Sequence, residues 1–542
     1  MNHLHFPLYN IGYLCTDWQV EQSRGDNPAL IWVSNNLEST TFTFSELQNK
    51  SNQVANLLKK LNIHPEEKLM ILLPRIPELF FFFLGALKAG MNTCILFTSI
   101  GEETLKDRIL DSKTDFIVTN NSLLFKFNAI INDLPKEFKI LNLEKSNQNQ
   151  LNNMIDISDF MEQENTSFES FPARRDQVSH FHFTSGSTGK PKGVQHVHGS
   201  AESIAASFIE VIQPEPNDIY WCTADQGWVT GVSYGIIGPW INGITQLQFE
   251  GNFKAESWMS ILEKYHVNIL YSAPTVFRML MQNQDSFFQK FDYSSLKRIY
   301  CVGEPLNPVI IEWVRRVLRK EIFDTWFQTE TGSIMISNHP GLAIRPGSMG
   351  KPLSYINVAI LDKAGNPLPP LKEGLLCIEK NWSSMFIDYI NHSQTYQDKF
   401  IGNYYDSGDI AYKDPDGYYW FIGRNDDVIN TAGHLVSPFE VESALLELNE
   451  ILDVGVVGVP DNVLFERVIA FVVLRYNDNN LKQVQMKMKI HVANKVSSIA
   501  SPQEIIFVEA IPKTKSGKIM RRILRNQYLN LNLGDLSTLE EY

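Results

Sequence analysis

Two stretches of this chain combine the residue types that chemistry at a phosphate requires. The first is Thr184-Ser185-Gly186-Ser187-Thr188-Gly189-Lys190-Pro191-Lys192-Gly193, which follows the apolar run Phe181-His182-Phe183 and so lies where a strand ends. Three glycines let backbone N–H groups approach an anion, while four hydroxyls and two lysines add donors and positive charge. It is not a Walker A loop, because no G-K-[ST] follows at the required spacing and Pro191 would interrupt a helix there. Its composition alone leaves a Ser/Gly surface turn open. The second stretch is Pro512-Lys513-Thr514-Lys515-Ser516-Gly517-Lys518. Alone, it reads either as a solvated basic tail or as a segment presenting a lysine to an anion.

Elements must exist to hold these loops. Apolar residues at helical spacing, Leu47, Val54, Leu57, Leu58 and Leu61, predict a helix after Thr43-Phe44-Ser45-Glu46, with Ser45 as its cap. Met70 to Leu73 reads as a buried strand, and the Phe-rich run Leu79 to Leu87 as a buried helix. A further helix over Leu105 to Leu110 precedes the strand Phe116 to Thr119. Such alternation implies parallel sheets covered by helices. From about Asn120 to Ser170 the chain turns polar, and part of it is expected to be a surface excursion. Asp176 to Phe421 alternates strand and helix again. Beyond Arg424 the segments shorten: Val428-Ile429, a helix from Pro438 to about Leu448, and strands at Val454 to Val457 and Val468 to Leu474. The expectation is an α/β N-terminal domain over 1–424 and a small α+β domain over 425–542, with the boundary near Gly423 to Asp427.

Whole-chain properties exclude some partners. A formal net charge of −13 argues against nonspecific nucleic-acid binding, which needs a basic surface. The five scattered cysteines show no C-x-x-C spacing and read as free thiols in a reducing compartment. The start lacks the basic and apolar regions of a secretory signal, and Lys88 ends the longest apolar run well short of the ~20 residues a membrane span needs. A cytoplasmic location is expected.

Thr184 to Gly193 resembles the phosphate loop of the adenylate-forming enzymes, which include acyl-CoA synthetases, luciferases and peptide-synthetase adenylation domains. Further segments match in the same order: Tyr271 to Thr275, Val302 to Pro305, Asp324 to Gly332, Ser407-Gly408-Asp409, Gly423 to Val428, and Pro512 to Lys518. Trp221 to Gly231, Pro346 to Pro352 and Lys518 to Arg522 resemble the acetyl-CoA synthetase branch. The first hundred or so residues match only loosely.

This resemblance implies a two-domain fold with a mobile C-terminal lid, the substrates ATP, coenzyme A and a small carboxylic acid, and Mg2+. It implies that Thr184, Ser185, Gly186, Ser187, Thr188, Gly189, Lys190 and Lys192 hold the β- and γ-phosphates. Gly303, Glu304 and Pro305 would line the adenine pocket, and Asp324, Thr325, Trp326 and Gln328 would belong to the same nucleotide site. Asp409, helped by Arg424, would accept the ribose hydroxyls. Thr329 would contact the α-phosphate and Glu330 would hold Mg2+, a cation that prefers oxygen ligands. Lys518 would neutralise charge as a carboxylate attacks the α-phosphorus. Asp426 matches the hinge, and Gly433 and His434 the coenzyme A tunnel. Family precedent also makes Lys518 a candidate for a lysine acyltransferase and deacylase. Monomer and homodimer stay equally open.

Two positions depart from the acetyl-CoA synthetase pattern. Phe327 stands where that branch usually has a pocket-blocking tryptophan and medium-chain relatives tend to have glycine. With Trp228, Val229, Thr230 and Val302 as the other acyl-pocket residues, the expected acids are propionate, butyrate, isobutyrate or methylbutyrate; acetate and medium-chain acids are the alternatives. Leu435 replaces an arginine that usually reaches the ATP phosphates, so phosphate contact should be reduced. Leu435 is also the sole support for a non-catalytic nucleotide-binding protein, against which Lys518, Glu330 and Asp409 speak. Gly231-Val232-Ser233-Tyr234-Gly235 fits the hydrolase G-x-S-x-G elbow, which would need a strand just before Ser233. His196 and His198 could pair on a metal, but read better as a polar strand edge.

Overall fold

A computed structural model describes residues 6–145, 153–158, 163–184, 191–432, 434–476, 480–514 and 518–533. The larger domain holds two sheets. One has 14 strands, whose central part is parallel and runs in the spatial order Pro28–Val33, Thr245–Phe249, Ile219–Cys222, Ile269–Ser272, Arg298–Cys301 and Ile322–Trp326. Those strands are short and largely buried, as sheets covered by helices require, although Thr245–Phe249 and Ile322–Trp326 carry buried polar residues. Antiparallel strands continue the sheet through Ile336–Ser337 and Ser348–Pro352 to the pair Tyr404–Lys413 and Tyr419–Arg424.

The second sheet has 8 strands in the order Asp388–Tyr389, Lys192–Val197, Val178–Thr184, Asn92–Ile95, Lys68–Ile71, Phe116–Thr119, Lys139–Asn142 and Met154–Asp156. The last two lie within 120–170, part of which is expected from the sequence to be a surface excursion: Ile140 and Leu141, fully buried, extend the sheet despite polar neighbours. The Phe-rich helix, Pro77–Lys88, packs with the helix Phe44–Lys60 in the core between sheet and chain start. Among the described residues no helix is long and apolar enough to cross a membrane. Thr43, not Ser45, caps Phe44–Lys60. Its hydroxyl accepts from the Glu46 N–H at 3.2 Å, and Glu46 accepts the Thr43 N–H at 2.8 Å, a reciprocal cap closed by the Thr-x-x-Glu spacing.

The smaller C-terminal domain carries a five-stranded sheet, His434–Val436, Ile429–Thr431, Phe465–Leu474 and Ile451–Asp461, with Glu504–Phe507 beside Phe465–Leu474. Helices Pro438–Leu446 and Leu481–Lys495 cover one face, and Arg521–Tyr528 packs on the other through Leu524. The five cysteines are buried free thiols.

Candidate active site

One cavity of about 510 Å³ opens between the domains. It gathers Thr184 and Lys192, the segments Trp228 to Thr230, Val302 to Pro305 and Asp324 to Glu330, then Asp409, Arg424 and Lys518. Ser185 to Lys190 and Gly433 lie outside the described residues. Asp426 and His434 do not line the cavity; His434 and Leu435 are exposed on the far edge of the small sheet, Leu435 by 53%.

Lys192 begins the strand Lys192–Val197, which pairs with Val178–Thr184 through Thr184, so the phosphate-loop segment joins two adjacent strands at one end of the second sheet. Across from it, Ile322–Trp326 ends at a tight turn, Thr329 to Gly332, where Gly332 has φ +69 and backbone that favours glycine. Gly303 likewise has φ +88 at the end of Arg298–Cys301.

Asp409 sits on Tyr404–Lys413 and is 2% exposed. Trp326 Nε1 and Gln328 Nε2 donate to its Oδ2 at 3.0 and 3.1 Å, and Tyr405 donates to Gln328 Oε1 at 2.8 Å. Trp326 and Gln328 thus orient Asp409. Arg424 Nη1 lies 3.0 Å from Asp409 Oδ1 in an ion pair. A carboxylate oxygen has lone pairs beyond the one an ion pair engages, so Asp409, which lines the cavity, is suited to a ligand hydroxyl. Burial pushes the Asp409 carboxyl up, while Arg424 pulls it down, and Asp409 in turn holds the Arg424 guanidinium charged. Asp324 is pushed up to about 7 by burial. Thr325 turns its hydroxyl inward, donating to the Cys301 carbonyl at 2.7 Å.

At Lys518 the Thr514 N–H donates to the Lys518 carbonyl at 2.8 Å and the Lys518 N–H to the Thr514 hydroxyl at 3.1 Å. The residue is open to the water in the cleft, yet walled by protein. Desolvation, then Arg424, lowers its ammonium pKa, while Asp427 and Asp409 raise it.

Further side chains line the cleft or brace the residues already named. The Tyr389 hydroxyl donates to Glu330 Oε1 at 2.8 Å, and burial raises the Tyr389 phenol. Arg278, on the helix Pro274–Leu280, pairs with Glu304 and lines the cavity. Arg521 holds both Glu442 oxygens at 2.7 Å, and Asn307 donates to Ser443 across the domains at 2.9 Å. Mg2+ keeps waters and substrate phosphate oxygens and adds only one or two carboxylates. Glu330, which lines the cavity, provides one such group. Among the described residues no cluster of three or more His, Cys, Asp or Glu could hold a metal by itself. The residues therefore fit a dication that arrives with nucleotide phosphates.

Ser233 follows the helix Val229–Val232 rather than a strand, and its hydroxyl is buried, donating to the Gly332 carbonyl at 2.7 Å. This rules out the nucleophile elbow. His196, on Lys192–Val197, and His198, just past that strand's end, form no polar edge: both are buried, and Asp388–Tyr389 pairs with the strand at Val194 and Gln195.

Fold and site define a two-domain enzyme built to handle a nucleotide in the cleft between its domains. The AMP-binding enzyme family matches residues 16–389 and the AMP-binding enzyme C-terminal domain matches 440–518. The chain belongs to the AMP-binding enzyme family and is an AMP-forming acyl-CoA synthetase. It is 41% identical to the acetyl-coenzyme A synthetase of Bacillus subtilis (strain 168), covering 98% of this chain and 93% of that one. The acetyl-coenzyme A synthetase of Rubrobacter xylanophilus is 37% identical over 98% of this chain and 86% of its own length. Among solved structures, the anthranilate CoA ligase AuaEII in complex with anthranoyl-AMP superposes with TM-score 0.87 at 26% identity, covering 96% of this chain and 98% of that one. The Brucella canis acyl-CoA synthetase gives 0.74 at 32%, covering 96% and 94%.

Proposed function

We propose that this acyl-CoA synthetase acts on short linear or branched acids: propionate, butyrate, isobutyrate or methylbutyrate. The observation that carries the reading is Phe327. It lines the cavity beside Val229 and Val302, its ring edge-on to Tyr234 at 5.2 Å, and closes the acyl end with a smaller ring than tryptophan.

In the first step a carboxylate oxygen attacks the α-phosphorus of ATP, and pyrophosphate leaves. Thr184, Lys192 and the loop between them hold the β- and γ-phosphates, and Asp409 Oδ1 accepts a ribose hydroxyl. Thr329 contacts the α-phosphate. Glu330 would hold Mg2+, which would offset phosphate charge. Lys518 stabilises the negative charge that builds up as two anions join. In the second step the thiol of coenzyme A attacks the acyl carbonyl and AMP leaves. His434 and the Gly433 segment serve this step after the small domain turns about Asp426.

The test is pyrophosphate release with ATP, Mg2+ and coenzyme A against acids from acetate to octanoate, with the thioester identified by mass. The highest kcat/KM is expected within the proposed set; acetate or octanoate leading clearly would overturn it. Acetate is the competing reading, because the relatives that span nearly the whole chain are named acetyl-coenzyme A synthetases.

A further inference from the structure

The turn carrying Thr329 and Glu330 is held by groups from three separate segments. The Phe386 N–H donates to the Glu330 carbonyl at 2.9 Å. Trp382 Nε1 and the Ser384 hydroxyl donate to the Thr331 carbonyl at 2.9 and 2.7 Å. Ser233 holds the Gly332 carbonyl. The Thr329 carbonyl faces His196 Nε2 at 2.9 Å.

His196 is unlike the other anchors. It is 1% exposed, lies on the strand that starts at Lys192, and does not line the cavity. Its second nitrogen, Nδ1, faces the Ser384 carbonyl at 3.2 Å. Both ring nitrogens therefore meet acceptors, and a neutral imidazole has one N–H to give. Burial drives the His196 pKa down to about 4, so the ring is neutral near pH 7 and its proton belongs on Nε2, at the shorter contact. The ring is held in place. His180 stacks on it at 5.3 Å and His182 packs at 6.1 Å. A Cβ on Gly332 would come within 3.0 Å of its Cε1, so the turn is wrapped directly around it.

We propose that His196 is a positioning residue for the adenylation step. By donating from Nε2 to the Thr329 carbonyl, it ties the phosphate-loop strand to the turn and sets where the Thr329 hydroxyl and Glu330 carboxylate stand. The proposal rests on the roles given above to Thr329 and Glu330.

The amide nitrogen of glutamine reaches about as far as Nε2, whereas that of asparagine stops near Nδ1. ATP–pyrophosphate exchange with propionate or butyrate is measured for wild type, His196→Gln, His196→Asn and Thr329→Ala. Thioester formation from supplied acyl-adenylate and coenzyme A is measured in parallel. His196→Asn should lose about 10- to 100-fold in exchange kcat, the effect of leaving a buried carbonyl unpaired, and His196→Gln should stay within about threefold of wild type. Both should keep the thioester step. If the two variants lose exchange alike, or asparagine outperforms glutamine, the proposal is overturned. If His196→Asn does not fold, His196→Gln against wild type decides: near-normal exchange supports the Nε2 donor and a large loss overturns it. An unchanged Thr329→Ala enzyme would instead overturn the role of Thr329.

Discussion

Replacing Phe327 by alanine isolates the acyl wall. The side chain lies between the cavity and Tyr234, which is fully buried behind it. Truncation removes six ring carbons without adding the backbone freedom that glycine would bring. Val229 and Val302 stay in place, 7% and 6% exposed, so the new space is apolar on every side that they and Tyr234 form. A chain longer by two methylenes would then leave water for this space. At about 0.8 kcal/mol per buried methylene the gain is about 1.6 kcal/mol, or about 15-fold in the ratio of kcat/KM for hexanoate over butyrate. Lost ring contacts with Tyr234 cost about 0.5–1.5 kcal/mol of folding stability. The assay is thioester formation at saturating ATP and coenzyme A across the straight-chain acids, with a thermal melt alongside. An unchanged hexanoate-to-butyrate ratio in a folded variant would refute Phe327 as the wall, whichever acid the wild type prefers.

Tyr389→Phe removes the donor to Glu330 but keeps the ring beside Lys192. It should lower kcat/KM for MgATP about 10-fold and raise the Mg2+ needed for half-maximal rate; unchanged Mg2+ dependence would refute the positioning of Glu330 by Tyr389. Asp324, raised to about 7 against about 3.9 when unfolded, binds its proton more tightly in the folded protein. Its contribution to stability is therefore full below the unfolded value and is lost as pH rises to about 7, by at most about 4 kcal/mol. Asp324→Asn should then melt higher relative to wild type at pH 8 than at pH 5, and an equal difference at both would contradict the shift. Leu435→Arg should lower KM for ATP by no more than about fivefold, the scale of a screened surface charge near 1 kcal/mol; no change would make the position irrelevant to nucleotide.

The residues legible in the sequence are those that lie in short continuous runs. Asp324 to Glu330 is one such segment, and Asp409 and Lys518 sit in short runs legible only through their resemblance to family motifs. Residues that act across the fold left no such trace. Tyr389 reaches Glu330 because a two-residue strand, Asp388–Tyr389, adds to Lys192–Val197, and two residues show no period. The same strand turns the supposed edge at His196 into interior. Arg278 sits four residues after Pro274 in a matched segment, but its partner Glu304 comes from another loop. Lys139–Asn142 escaped notice because two buried residues amid polar ones give too little pattern to separate strand from surface loop.

The charges of the cleft argue for a lysine kept in reserve. Arg424 is paired with Asp409, Arg278 with Glu304, Arg521 with Glu442, and Lys513 with Asp453. Lys518 makes no ion pair among the described residues, and burial and Arg424 together lower its pKa. An ammonium so placed is least stable when the cleft holds no anion. The arrival of nucleotide phosphates reverses that, because charge-assisted contacts in a walled cleft strengthen as water leaves. Lys518, next to the bridge between Lys513 and Ile519 in the small domain, would then gain most while the phosphates are present. In the two-step reaction proposed above, much of that gain would go once pyrophosphate and its charge depart. Lys192, which lines the same cavity and is given the phosphates above, shares this dependence with Lys518.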